Sequence, residues 1–220
     1  MNSIFSYDSK PMQILMFIGD LIILNFFYLL CCVPVFTIGA AQAGLYTAVR
    51  VLQDPEDDSS PTAAFFRGFR SGFGKVTLVW GLLSLVLVLV AGTAMYAYAL
   101  GLPKWLCIVP VAICALFQTV VPAFHSRFGC TAKQLLRNVW FLIFAFPLRS
   151  IAAAAVVWVP AVVFLLDAYN FMSLAAIWCT LYFSTAILFG NLFLRKPFNI
   201  LVEHFNETHK PEEAPAEIGE

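Results

Sequence analysis

The sequence predicts an all-α fold, a polytopic transmembrane helical bundle of six helices, or five if residues 38–53 do not cross, with short cytoplasmic amphipathic helices beside it. Three observations carry this reading. Hydrophobic residues make up 61% of the 220 and charged residues 12%, too little polar surface to cover a water-soluble particle. Long apolar runs follow one another: residues 76–100, 105–124 and 151–166 carry no charged residue, while 12–33 and 171–194 are interrupted by Asp20, Asn25 and Asn191. A transmembrane helix needs roughly 20 mostly apolar residues. The third observation is the placement of the basic residues between those runs.

Nothing at the start of the chain reads as a removable signal. Asp8 stands beside Lys10, so the leading segment is not basic, and the apolar run that follows is longer than a signal core. The first helix is expected to stay. Pro34 cannot continue it, and Thr37 is a good N-cap for a second helix reaching about Gln53, rich in Ala and Gly and suited to close packing. The two form a helical hairpin over residues 12–53. With its turn between Val35 and Phe36, antiparallel pairing sets Asn25 level with Tyr46 and Asp20 level with about Val51, within reach of Arg50.

A lone carboxylate deep in hydrocarbon costs roughly 2.5 to 3.5 kcal/mol on insertion scales, so the partner of Asp20 matters. An ion pair with Arg50 is the reading the hairpin favours. A functional acid and simple interfacial exposure are the alternatives.

After an acidic loop, Ser60 and Pro61 form an N-cap and first-turn pair that opens a short helix. On a helical wheel Phe65, Phe66, Phe69 and Phe73 fall within about 100° of arc, opposite Arg67, Arg70, Ser71 and Lys75. This is a basic amphipathic helix expected at the membrane surface, a candidate interface. Gly68, Gly72 and Gly74 weaken it as a free helix, so packing or lipid must hold it. Residues 131–137 echo residues 62–67, and each echo precedes two spans joined by a short turn, at 101–104 and at 167–170. Residues 61–124 and 130–194 therefore read as parallel repeat-like units of one transmembrane domain, 1–198. Residues 199–220 form an acidic cytoplasmic tail with Pro211 and Pro215 and no periodic apolar face, expected to be disordered.

Six spans place Lys10, Arg50, Arg67, Arg70, Lys75, Arg127, Lys133, Arg137, Arg149, Arg195, Lys196 and Lys210 on one side and Lys104 on the other. That asymmetry assigns the basic side, and with it both termini, to the cytoplasm. With five spans the N-terminus moves outside and only Lys10 changes side.

No catalytic signature appears: no nucleophile elbow, phosphate-binding loop or dinucleotide fingerprint. The six cysteines show neither a C-x-x-C pair nor a histidine at ligand spacing, so no metal site is signalled. His125, at the cytoplasmic end of a helix, reads as a surface or hydrogen-bonded residue rather than a catalytic one. The sequence thus points away from an enzyme, calls for no cofactor and offers nothing for nucleic acid. Asn191 beside Gly190, and Pro147 and Pro160 within apolar runs, are features that line solute paths in transporters and that also serve as packing devices.

Asn25 with the run Cys32-Val-Pro-Val-Phe-Thr-Ile-Gly-Ala-Ala41 leading to Leu45-Tyr46 resembles the N-terminal signature of the YesL-like family, bacterial membrane proteins grouped as a domain of unknown function. Residues 65–73 look like its next block, with Gly72 where an asparagine is expected, and residues 122–138 look like its third. The resemblance runs to about Phe198. It implies a Gram-positive source and, by association with ABC-type sugar importers and polysaccharide breakdown, an accessory role in carbohydrate uptake. The importer's subunits, or a second copy of the chain, are then the partners to expect beside the lipid bilayer. A small solute transporter in its own right is the alternative.

Overall fold

The computed structural model describes residues 10–54, 57–101, 103–129, 131–166 and 178–208, which are helical throughout apart from turns and linkers. Eight α-helices follow one another among them: α1 (Lys10–Cys32), α2 (Ile38–Leu52), α3 (Pro61–Gly72), α4 (Lys75–Ala99), α5 (Lys104–His125), α6 (Ala132–Ala145), α7 (Pro147–Leu166) and α8 (Phe183–Thr208). A 3-10 turn at Val35–Thr37 precedes α2, and a π-helical turn at Trp178–Tyr182 leads into α8.

Four segments are long and apolar enough to cross a membrane: Lys10–Cys32, Val35–Leu52, Lys75–Ala99 and Ile108–His125. A fifth arises if Ala132–Ala145 and Pro147–Pro160, bent 106° to each other, are taken as one broken span. The expectation of six spans is therefore met only to four or five among the described residues. Part of the sixth expected span, the turn expected at 167–170, the segment before Lys10 and the tail from residue 209 lie outside those residues.

The apolar surface is disposed as lipid contact demands. On α1, Leu21, Leu24, Asn25 and Tyr28 point inward at i, i+3, i+4 and i+7, while Ile14, Leu15, Ile22, Ile23, Phe26 and Leu30 are exposed. On α4 only the first turns, at Val76 and Val79, are buried, and Leu78, Leu82, Leu85, Val88 and Leu89 face outward. Apolar surface of this extent has no place in water and costs nothing against hydrocarbon.

At the centre lies α2, buried on nearly every side from Gly39 to Val49. Its small residues let α3 and the start of α4 run antiparallel along it. A Cβ added at Gly68 would fall 2.8 Å from Thr47 Cβ, one at Gly72 would fall 3.1 Å from Ala43 Cβ, and one at Gly39 would fall 3.2 Å from the Val76 carbonyl. Residues 39, 43 and 47 thus meet 76, 72 and 68, a four-residue step on both strands of the contact. This is the small-xxx-small packing that brings helix backbones together in a membrane.

Packing holds α3. Phe65 is fully buried and stacks on Phe27 of α1 at 6.3 Å, whereas Phe66 and Phe73 are about half exposed. The phenylalanine face is accordingly split between core and surface, because Gly68 and Gly72 turn the helix flank against α2 instead of leaving the whole helix on a lipid surface.

Thr37 precedes α2 as expected, but its hydroxyl does not cap the helix. It turns back to the carbonyls of Cys31 and Pro34, the latter at 2.6 Å, and ties the hairpin turn together. The 3-10 turn before α2 removes the extended backbone that an accepting cap requires. Between α6 and α7 the chain bends at Phe146 (φ −132°, ψ 60°), since a residue before proline is disfavoured in the helical region and Pro147 starts the new helix. At the other end of α6, Gln134 Oε1 accepts hydrogen bonds from the Thr131 amide (3.1 Å) and hydroxyl (2.9 Å).

The last helix runs to Thr208, beyond the boundary at residue 198 expected from sequence. Phe198 is fully buried there and Leu201 packs against the core, so tertiary contact extends the helix past Pro197.

Candidate functional site

A polar cavity of about 360 Å³ opens where the C-terminal end of α2, the segment after α5 and the second half of α8 converge. Arg50, Gln53 and Asp54 come from α2 and the residues just beyond it, and Asp57 from the following loop. Arg127 comes two residues after the end of α5, and Arg195 and Asn199 stand one turn apart on α8. Helical spacing explains part of the convergence: positions 50 and 53 share one face of the last turn of α2, and positions 195 and 199 share one face of α8.

Three of the seven lining residues are arginines. Burial holds the Arg127 guanidinium well below its ordinary value, to about 10, and the cations Arg50 and Arg195 push in the same direction while Asp54 opposes them. Its guanidinium carbon stands 5.0 Å from the ring centroid of Phe198, a cation–π contact that fixes the group in place. Its Nε is buried with no hydrogen-bond partner. The Asp57 carboxylate lies below the usual range, chiefly because the Ser59 hydroxyl and amide (3.1 Å) donate to it, with smaller help from Arg50 and Arg67.

Beneath the cavity a pair of amides locks α2 to α8. Asn191 Nδ2 donates to Gln53 Oε1 at 2.6 Å, and Gln53 Nε2 donates to the Leu188 carbonyl at 3.0 Å. Asn25, fully buried on α1, accepts from the Ser184 amide at 3.1 Å and so ties α1 to the first turn of α8. Both asparagines singled out in the sequence thus hold helices together. Asn25 and Tyr46 both lie in the core, and Tyr28 and Gln42 of the same hairpin line one small cavity with Tyr182 and Phe183.

Asp20 is half-buried on α1, and among the described residues no ion pair within 4.0 Å joins it to Arg50. Arg50 faces the polar cavity instead, whose lining does not include Asp20. Arg67 and Arg70 lie exposed on α3, Arg67 close enough to Asp57 to act on its carboxylate. His125 is buried at the end of α5, with Nε2 3.5 Å from the Ser71 hydroxyl.

Arg127 and Arg195 entered the sequence reading as topology charges, Arg127 also within the third family block, and Gln53 only as the expected end of the second helix. The one available signal was that Arg50, Arg127 and Arg195 all fall at helix ends assigned to the same side. Nothing in sequence spacing brings positions 50, 127 and 195 to a common point.

Residues 21–98 match a family described as a protein of unknown function, DUF624. The match takes in roughly a third of the chain, from the second half of α1 through nearly all of α4. It therefore contains the glycine-lined α2–α3 contact and Arg50, and leaves out Arg127 and Arg195. No curated protein and no solved structure matches the chain.

Proposed function

We propose that this chain is a non-enzymatic integral membrane protein of the YesL-like type, with both termini and the basic loops in the cytoplasm, acting as an accessory component of carbohydrate uptake. Its partner is the membrane subunit of an ABC-type sugar importer, met within the bilayer and from the cytoplasmic side. One observation carries the choice of accessory over carrier. The intramembrane amides that would suit a solute path, Asn25 and Asn191, are each spent on a helix-to-helix hydrogen bond. Extended apolar faces on α1 and α4 are left for lipid and for neighbouring helices.

Affinity purification of the tagged chain from native membranes in mild detergent tests this reading. Recovery of an importer permease subunit in stoichiometric amount is the expected result, and repeated isolation of the chain alone overturns it.

The second reading, a small solute transporter, draws on the polar cavity, which is large enough for a small ligand. Flux measurements on reconstituted vesicles separate the two, with none expected for an accessory protein.

A further inference from the structure

We propose that the cavity between α2, the segment after α5 and α8 is a binding site for a phosphate-bearing anion, held by Arg50, Arg127 and Arg195. The proposal goes beyond the accessory reading and does not rest on it.

Three arginines from distant parts of the chain line one open polar cavity. Bringing like charges together opposes folding unless a counter-charge joins them, and burial of Arg127 sharpens the need. The two carboxylates in the lining offset that charge only in part. They are outnumbered three to two, and Asp57 already accepts both hydrogen bonds of Ser59. An anion seated among the arginines supplies the missing charge.

Arginine suits this task better than lysine. Its planar fork presents paired N–H groups to two oxygens of a phosphate at once, and its charge persists under all physiological conditions. Arg127 is pre-organised for it, because the Phe198 ring supports the guanidinium face and leaves the edge free to donate. Its buried Nε lacks any acceptor. The amide of Asn199, one turn from Arg195, adds a neutral donor at the rim. Gln53 is occupied by Asn191 and Leu188, so it shapes the floor of the site.

The volume, about 360 Å³, falls at the lower end of small-molecule pockets, roughly 300 to 1,000 Å³, and accommodates a phosphate with a small organic body. Two sources offer the same chemistry. One is a soluble phosphate monoester, and the other is the headgroup of an anionic phospholipid reached from the bilayer surface.

The full chain in detergent, titrated calorimetrically with glycerol 1-phosphate at fixed ionic strength set by chloride, tests the first source. The full chain in nanodiscs of phosphatidylcholine with or without phosphatidic acid, followed by thermal unfolding and by native mass spectrometry of retained lipid, tests the second. Saturable binding in either arm is expected, weakened at least about tenfold by Arg127→Gln and by Arg195→Gln, and unchanged by Lys133→Gln on the exposed face of α6. The arm that responds identifies the source. Should the arginine variants fail to fold, Asn199→Asp, at an exposed position, sets a negative charge at the rim and is expected to weaken binding by a similar factor. Absence of binding in both arms overturns the proposal. So does binding that Arg127→Gln, Arg195→Gln and Asn199→Asp leave intact, or a response that chloride alone reproduces.

Discussion

Gly68 of α3 lies against Gly44 of α2 so closely that a Cβ added at Gly68 would stand 2.9 Å from the Gly44 Cα and 2.4 Å from the Thr47 hydroxyl oxygen. A Cβ at Gly44 would in turn stand 2.8 Å from the Phe65 carbonyl. Backbone meets backbone on both sides of this contact, which leaves little side-chain freedom to absorb an added methyl. Gly68→Ala is therefore expected to destabilise the protein by about 1 to 3 kcal/mol, the usual cost of overpacking. Gly81, inside α4 with open space around it, provides the contrast. Gly81→Ala is expected to be neutral or to stabilise by up to about 1 kcal/mol through helix propensity. Thermal unfolding in a single detergent measures both, and equal effects would contradict the contact.

The two neighbouring phenylalanines of α3 should differ sharply. Phe65 is fully buried between Phe27 and α2, so Phe65→Ala leaves a cavity and should cost about 3 to 5 kcal/mol. Phe66 is 45% exposed and meets Phe27 edge-on at 5.2 Å, so Phe66→Ala should cost no more than about 1.5 kcal/mol. A helix resting on lipid through its whole phenylalanine face would lose similar amounts from either, which is the outcome that would refute its packing on α2.

The amide bonds make a separate prediction. Asn25→Leu keeps the bulk of the side chain but strands the Ser184 amide, an expected loss of about 1 to 3 kcal/mol. For Gln53 and Asn191 a double-mutant cycle is the sharper instrument. Coupling of about 0.6 to 1.7 kcal/mol is expected across their 2.6 Å bond, the range found for interhelical hydrogen bonds in membranes. Strict additivity would mean that the pair contributes nothing to the α2–α8 contact.

Asp20 and Arg50 should behave as independent residues. Arg50 lines the polar cavity and forms no ion pair with Asp20 among the described residues. The coupling between Asp20→Asn and Arg50→Ala is accordingly expected to stay below about 0.5 kcal/mol in unfolding measurements. A value above about 1 kcal/mol would restore the ion pair that the hairpin register suggests.

Much of the architecture was legible because the signals are local. Pro34 and Pro61 mark where a helix ends and another begins, and long apolar runs mark α1, α4 and α5. The 23 residues of α1 and 25 of α4 nearly coincide with the expected spans at 12–33 and 76–100. Where the reading and the structure part, the deciding contact is distant in sequence. Thr37 caps nothing because its hydroxyl finds Cys31, and α8 outruns its expected end because Phe198 meets Phe124 and Phe128. Phe65 left the surface face of α3 for the core because Gly44 made room for it.

The sequence by itself determined the class of this protein. Hydropathy, proline placement and the asymmetry of basic residues each act over a few residues or one helix length, so each can be read in one dimension. Only the tertiary structure decided which polar groups meet. Arg50, Arg127 and Arg195 look alike in sequence to any other basic residue at a helix end, and they become a cavity only when α2, α5 and α8 pack together. Asn25 and Asn191 could as well have lined a path or bound a partner; the positions of Ser184 and Gln53 set them to packing. Hydrogen bonds and charges act over a few ångströms in space, and proximity of that kind belongs to the fold.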